Sequence, residues 1–260
     1  MLRILSALVL IPVFFGCIWL LPPPWLLVVA EAVLALAFIE YAGLAEALGA
    51  RVPRVASGAA AMAMCAAVGL GVPLELPLVA ALVGLGALIV GSRAPAPGVL
   101  NDVAAALFPV AYLGLPLGSF VALHAMAGRE AVLLLLVTII VSDSAQYFTG
   151  RWLGRHRLSP VISPKKTVEG AIGGFVLAPA VMAALAPWWL PGRATWWVVL
   201  AGLAVVALGI AGDLFESLLK RSAGVKDSSA LIPGHGGVLD RIDAMLFAAP
   251  VFYVLLKYGG

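Results

Sequence analysis

The chain has 260 residues, 63% of them hydrophobic and 11% charged, with a formal net charge of +3 and a mean hydropathy of +1.10. This composition excludes an ordinary soluble domain, and so small a net charge gives no argument for a nucleic-acid partner. No polar stretch is long enough to fold alone, so a single all-α, polytopic integral membrane domain over 1–260 is expected, built from apolar runs of about 20 residues.

Nine apolar segments, and so about nine transmembrane helices, are predicted: 4–21, 25–48, 55–72, 76–91, 99–123, 130–150, 170–190, 194–216 and 243–258. The first run exceeds the apolar core of a signal peptide. No small-residue cleavage site precedes Pro22–Pro24, so it reads as a retained helix. Cys17 and Cys65 lie in apolar runs and read as small buried hydrophobes, with no disulfide. Segment two carries Glu31 and Glu40. An intramembrane acid is a functional candidate by default, but the sequence identifies no partner for either. Segment five holds Pro109 and Pro116 and is expected to be kinked or broken. Small residues at 84–91 (GLGALIVG) and 170–174 (GAIGG) allow close helix approach. His124 reads as structural and His156 as a headgroup contact. The stretch 1–123 reads as scaffold spans and a candidate dimer interface, and 130–260 as the catalytic half.

Orientation follows from the basic residues. With the N-terminus cytoplasmic and sides alternating, Arg3, Arg51, Arg54, Arg93, Arg151, Arg155, Arg157, Lys165, Lys166, Lys220, Arg221, Lys226 and Arg241 fall inside. Of the 16 basic residues only Arg129, Arg193 and Lys257 fall outside, which is the bias the positive-inside rule predicts.

The chemistry is sought in the polar block 213–243, which holds Asp213, Asp227, Asp240 and Asp243, four of the six aspartates. Charge in so apolar a chain is kept for orientation or chemistry. Asp213, Glu216, Ser217 and Lys220 share one helix face if segment eight continues past the membrane. Asp240 and Asp243 share another at the start of segment nine, and Asp143 aligns with Gln146 and Tyr147. Gathered carboxylates repel unless a cation or proton joins them. Mg²⁺, with one or two carboxylates and with water and phosphates completing its shell, is the expected solution. Ser163 and Pro164 read as helix N-cap and first helical residue, which puts Lys165 and Lys166 at a helix N-terminus suited to an anion. Glycines 234, 236 and 237 around His235 read as a turn whose backbone approaches a phosphate. Acid, base and glycine together point to a phosphorylated substrate with a metal.

At these residues the chain resembles the phosphatidate cytidylyltransferases, or CDP-diacylglycerol synthases. The pattern S-x-x-K-R, four residues, K-D, spacer, P-x-H-G-G, then D-R-x-D appears as Ser217, Lys220, Arg221, Lys226, Asp227, Pro233, His235, Gly236, Gly237, Asp240, Arg241 and Asp243. The segments SDSAQYFTGRWLGRH and SPKKTVEG are similar to family segments, with Gln146 a departure from the smaller or apolar residue of many relatives. The resemblance implies a reaction of CTP with phosphatidic acid to give CDP-diacylglycerol and pyrophosphate, within phospholipid biosynthesis. It implies Mg²⁺, an assisting monovalent cation such as K⁺, and a homodimer in the bacterial inner membrane with its site on the cytoplasmic side. By similarity Asp213 and Asp240 are the expected metal ligands, and Asp143, Asp227 and Asp243 further ligands or nucleotide contacts. Lys165, Lys166, Lys220, Arg221 and Lys226 are expected to bind phosphates. His235, Gly236 and Gly237 are expected to shape the nucleotide turn, with Glu216, Ser217 and Arg241 lining the substrate. Two competing readings are a CTP-dependent polyprenol or lipid kinase and an ion-coupled transporter. The surface character of KDSS and PGHGG, and the lack of an internal repeat, argue against the transporter.

Overall fold

A computed structural model describes residues 12–232, 234 and 236–259. The chain is helical almost throughout: α1 (12–20), α2 (Pro23–Ala47), α3 (Arg54–Gly69), α4 (Glu75–Ser92), α5 (Val99–Pro109), a π-helical turn (Val110–Gly114), α6 (Leu115–Leu153), α7 (Val168–Trp189), α8 (Thr195–Ser222) and α9 (Leu239–Tyr258). A short antiparallel hairpin, β1 (Arg157–Ser159) and β2 (Ser163–Thr167), is the departure from the all-α expectation. By length and composition, five helices among the described residues can cross a membrane: Pro23–Ala47, Glu75–Ser92, the run Val99–Leu153, Val168–Trp189 and Thr195–Ser222. Arg54–Gly69 is apolar but shorter. Helix α9 carries Asp240, Arg241, Asp243 and Lys257 within its 20 residues. The start of the first predicted segment lies outside the described residues.

The breaks have local causes. Pro22–Pro24 open α2 and Gly49, at φ 87°, follows its end, the usual proline-in, glycine-out asymmetry. Segments five and six run on in one helical stretch that Gly128 interrupts at φ 81°, ψ 173°, so the predicted break is there. Pro109 has no N–H for the Ala105 carbonyl, and the ladder widens into the π-helical turn just beyond it. The Tyr41 hydroxyl donates to that freed carbonyl at 2.9 Å, and Ser57 Oγ donates to the next, Ala106, at 2.5 Å.

The chain falls into two compact units, each drawn from two separate stretches. The first comprises 1–125 and Ser222–Arg241, the second 126–221 and 242–260. In the first, α3 packs on α2, α4, α5 and the π-helical turn. A side chain at Gly114 would run into the Ala61 carbonyl, and one at Gly118 into Cys65; small residues are what let these backbones meet. Gly84, Gly86 and Gly91, expected to do the same on α4, have nothing near them. In the second unit the glycine expectation holds. Gly170 lies against Gln146, Gly173 against Thr149, and Gly174 against Gln146 and Ser142. Ala171, Ala178, Val206 and Ile210 form a buried cluster there, with Val141, Leu158, Phe175 and Leu214 packed on it. Arg193 donates to the carbonyls of Leu256 (3.0 Å) and Gly259 (3.2 Å) and covers the Trp197 ring, closing the C-terminal end of α9.

Candidate functional site

In the second unit, α8 runs unbroken to Ser222, so the predicted polar face exists. Ser217 Oγ donates to Asp213 Oδ1 at 3.3 Å, and Lys220 Nζ pairs with the fully buried Glu216 at 2.5 Å. A buried ion pair contributes little net stability, but removing one partner leaves a stranded charge. Lys166 reaches Asp213 Oδ2 at 2.6 Å. Asp143, Asp213 and Asp243 lie close enough to repel one another, with Lys166 countering at Asp143 and Lys220 at Asp243. Asp243 Oδ1 also accepts from the Ala244 N–H at 2.7 Å. The close passage of α8 and α9 sets this cluster: a Cβ at Gly212 would run into the Asp243 carbonyl. Among the described residues no three carboxylate, imidazole or thiol groups could hold a metal ion by themselves. Three mutually repelling carboxylates are nevertheless a donor set of hard oxygens. An ion such as Mg²⁺ held here would draw on one or two of them and complete its shell with phosphates and water.

The approach to Lys166 differs from the helix N-terminus expected. Ser163–Thr167 is a strand paired with β1, in register Arg157↔Thr167 and Ser159↔Ser163. Lys165 and Lys166 therefore sit on β2, and Thr167 rather than Ser163 caps the following helix. Its Oγ1 accepts from the Gly170 N–H at 3.1 Å. Proline is tolerated near the start of an edge strand, and the Arg157 guanidinium donates to the Pro164 carbonyl. Glu169 was not singled out from the sequence. Its carboxylate accepts from the N–H groups of Arg155 and His156, at 3.0 and 3.2 Å, and meets His156 Nδ1 at 2.6 Å. The basic loop is thereby tied to the first turn of α7. The Gln146 amide donates to Ser142 Oγ, and the Tyr147 hydroxyl accepts from Arg151.

In the first unit, the segment between Ser222 and Arg241 forms a loop leading into α9. Lys226 and Asp227 are exposed on it. Ile232 N–H donates to the Gly236 carbonyl at 2.8 Å, closing a tight turn with Gly234 at φ 78° and Gly236 at φ 82°. Pro233 and His235 lie outside the described residues. Asp240 Oδ2 accepts from Ser228 N–H (2.9 Å), Ser228 Oγ (2.8 Å) and Gly237 N–H (2.8 Å). The glycines have a reason that spacing does not reveal. A Cβ at Gly236 would meet Asp240 Oδ2, and one at Gly237 would meet Ser228 Oγ and the Glu40 carboxylate. Glu40 is the partner that sequence reasoning missed, although its place as an acid in an apolar helix marked it. Ser228 and Ser229, the serines of KDSS, carried no signal beyond polarity. Among the described residues Glu31, also in α2, meets no such set of donors and lies against the Cys65 thiol.

The family described as the cytidylyltransferase family matches over residues 1–259. A phosphatidate cytidylyltransferase of Staphylococcus haemolyticus is 39% identical over 158 residues, which are 60% of this chain and 59% of the relative. One from a Synechocystis species is 48% identical over 128 residues, 46% of this chain and 42% of the relative. A protein of Escherichia coli, named only as the uncharacterized protein YnbB, is 43% identical over 131 residues, 50% and 44% of the two chains. The chain thus spans less than two thirds of the length of these relatives.

Proposed function

The chain belongs to the cytidylyltransferase family, and from that premise we propose that it transfers the cytidylyl group of CTP to phosphatidic acid. A phosphatidate oxygen attacks the α-phosphorus of CTP, a P–O bond to that oxygen forms, the α–β anhydride bond breaks, and pyrophosphate leaves. The products are CDP-diacylglycerol and pyrophosphate. The nucleophile needs no strong base, because a phosphate monoester with a second pKa of about 6 is already anionic at neutral pH. The barrier is charge, an anion approaching a polyanion.

The carrying observation is the gathering of Asp143, Asp213 and Asp243 with Lys166 and Lys220. One or two of these aspartates, together with substrate phosphates, would hold a divalent cation, and the two lysines would meet phosphate oxygens. A bound Mg²⁺ would neutralise charge on the phosphates and on the leaving pyrophosphate. Assigning Asp240 to the metal beside Asp213 rests on the sequence pattern alone. Lys165, Arg221, Lys226 and Arg241 add positive charge for the substrates' phosphates, and Asp227 and the glycine turn contact the nucleotide. The positive-inside bias supports a cytoplasmic-facing site, and the bacterial relatives support the plasma membrane as its place. A homodimer and an assisting K⁺ complete the proposal.

The test is an assay of the full chain in membranes with phosphatidic acid and CTP labelled separately in the cytidine and at the terminal phosphate. Cytidine label in the lipid together with free pyrophosphate is the expected result. Transfer of only the terminal phosphate would assign a lipid kinase instead.

A further inference from the structure

We propose that Glu40 is a positioning residue for the nucleotide loop, holding Ser228, Ser229, Val238 and Leu239 in the arrangement that binds CTP. The proposal rests on the CTP-using reaction above. Glu40 lies in α2 and is 6% exposed, and each of its carboxylate oxygens meets two donors. Oε1 accepts from Ser229 Oγ at 2.6 Å and from Val238 N–H at 2.9 Å. Oε2 accepts from Leu239 N–H at 2.8 Å and, at 2.9 Å, shares the single Ser228 hydroxyl proton with Asp240 Oδ2.

These partners stand 188 to 199 residues away in the chain, so no local turn accounts for them. Val238 and Leu239 lead into α9, where a helix leaves N–H groups without intrahelical partners and favours negative charge. Glu40 is thus a cap supplied from another helix. Asp240 grips the same loop from the other side through Ser228 and Gly237. Ser228 Oγ lies between the two carboxylates, and Gly237 leaves no room for a Cβ beside them. Lys226, Asp227, Gly236 and Gly237, the residues proposed to meet the nucleotide, flank or belong to the gripped segment.

A neutral amide cannot replace this carboxylate. The serine hydroxyls can turn to accept a hydrogen bond, but the backbone N–H groups cannot. Whichever way glutamine is oriented, its NH₂ would oppose the N–H of either Val238 or Leu239.

The experiment compares the full-length wild type, Glu40→Gln, Glu40→Asp and Ser229→Ala in nanodiscs, using steady-state kinetics in both substrates and hydrogen exchange of the 228–239 segment. Glu40→Gln should raise KM for CTP about tenfold or more while KM for phosphatidate stays within about twofold. The loop should exchange faster in the same variant. Glu40→Asp keeps the charge and should recover part of the CTP affinity. Ser229→Ala removes one donor, should shift KM for CTP in the same direction by less, and decides the matter if Glu40→Gln does not fold. An unchanged KM for CTP, equal rises in both KM values, or a lower kcat with both KM values unchanged would overturn the proposal. If the wild type itself makes no CDP-diacylglycerol, the reaction assignment fails. Exchange at 228–239 then decides the positioning role, and unaltered exchange in Glu40→Gln overturns it.

Discussion

Asp213 and Asp240 illustrate two uses of a carboxylate. Asp213 divides its oxygens between Ser217 and Lys166 and has two other carboxylates for neighbours. It therefore sits where added positive charge is most favourable. Asp213→Asn is expected to lower kcat by about 100-fold or more, with the fold retained. Measuring the rate across a Mg²⁺ titration checks this, and near-normal turnover at saturating metal would reject the ligand role. Asp240 instead gives one oxygen to three donors of its own loop. Asparagine at 240 retains a carbonyl oxygen to face them, so Asp240→Asn should insert and fold while turnover is abolished or falls by about 100-fold. A thermal unfolding curve in detergent beside the rate assay separates the two effects.

At the scale of elements, α8 and α9 pass each other closely, and their glycines are not equivalent. A Cβ at Gly209 meets only the Ala244 methyl, at an ordinary 3.7 Å, whereas one at Gly212 runs into the Asp243 backbone. Gly209→Ala should be neutral or stabilising by about 0.5–1 kcal/mol, since alanine is the better helix former. Gly212→Ala should destabilise by about 1–3 kcal/mol through overpacking and should also lower activity, because it displaces the backbone carrying Asp243. Comparing the unfolding midpoints and rates of the two variants is the check; similar behaviour would refute the close-passage account. The hairpin before α7 makes a milder prediction. Thr167→Val keeps the β-branched shape but loses the cap to Gly170 N–H. It should cost about 1 kcal/mol, read as a lower unfolding midpoint.

At the scale of the whole molecule, a membrane protein of this family is expected to lose activity on chelation and recover it with Mg²⁺ added back. Activity that persists after exhaustive chelation would remove the metal from the account. Cysteines introduced at Lys226 and Arg193 should label from opposite sides of the membrane, Lys226 from the cytoplasm. Labelling from the same side would refute the orientation drawn from the basic residues. Much of the architecture was legible in sequence because bilayer thickness imposes run length, and proline and glycine punctuate the runs through backbone geometry alone. The breaks at Pro22–Pro24, Pro109 and Gly128 are of this kind. So is the shared face of Asp213, Glu216, Ser217 and Lys220, which needs only a helical period. Other features depended on groups far apart in the chain. Lys165 and Lys166 fall on a strand because the partner strand Arg157–Ser159 competes with an N-cap that looked adequate locally. Gly237 is excluded from bearing a side chain by Glu40, nearly 200 residues earlier, and a buried carboxylate's donors follow no periodicity. Local spacing therefore determined the apolar helices, the breaks between them and the polar helix face. Only the tertiary fold decided which donors each carboxylate meets, because hydrogen bonds between distant segments depend on where packing brings their backbones.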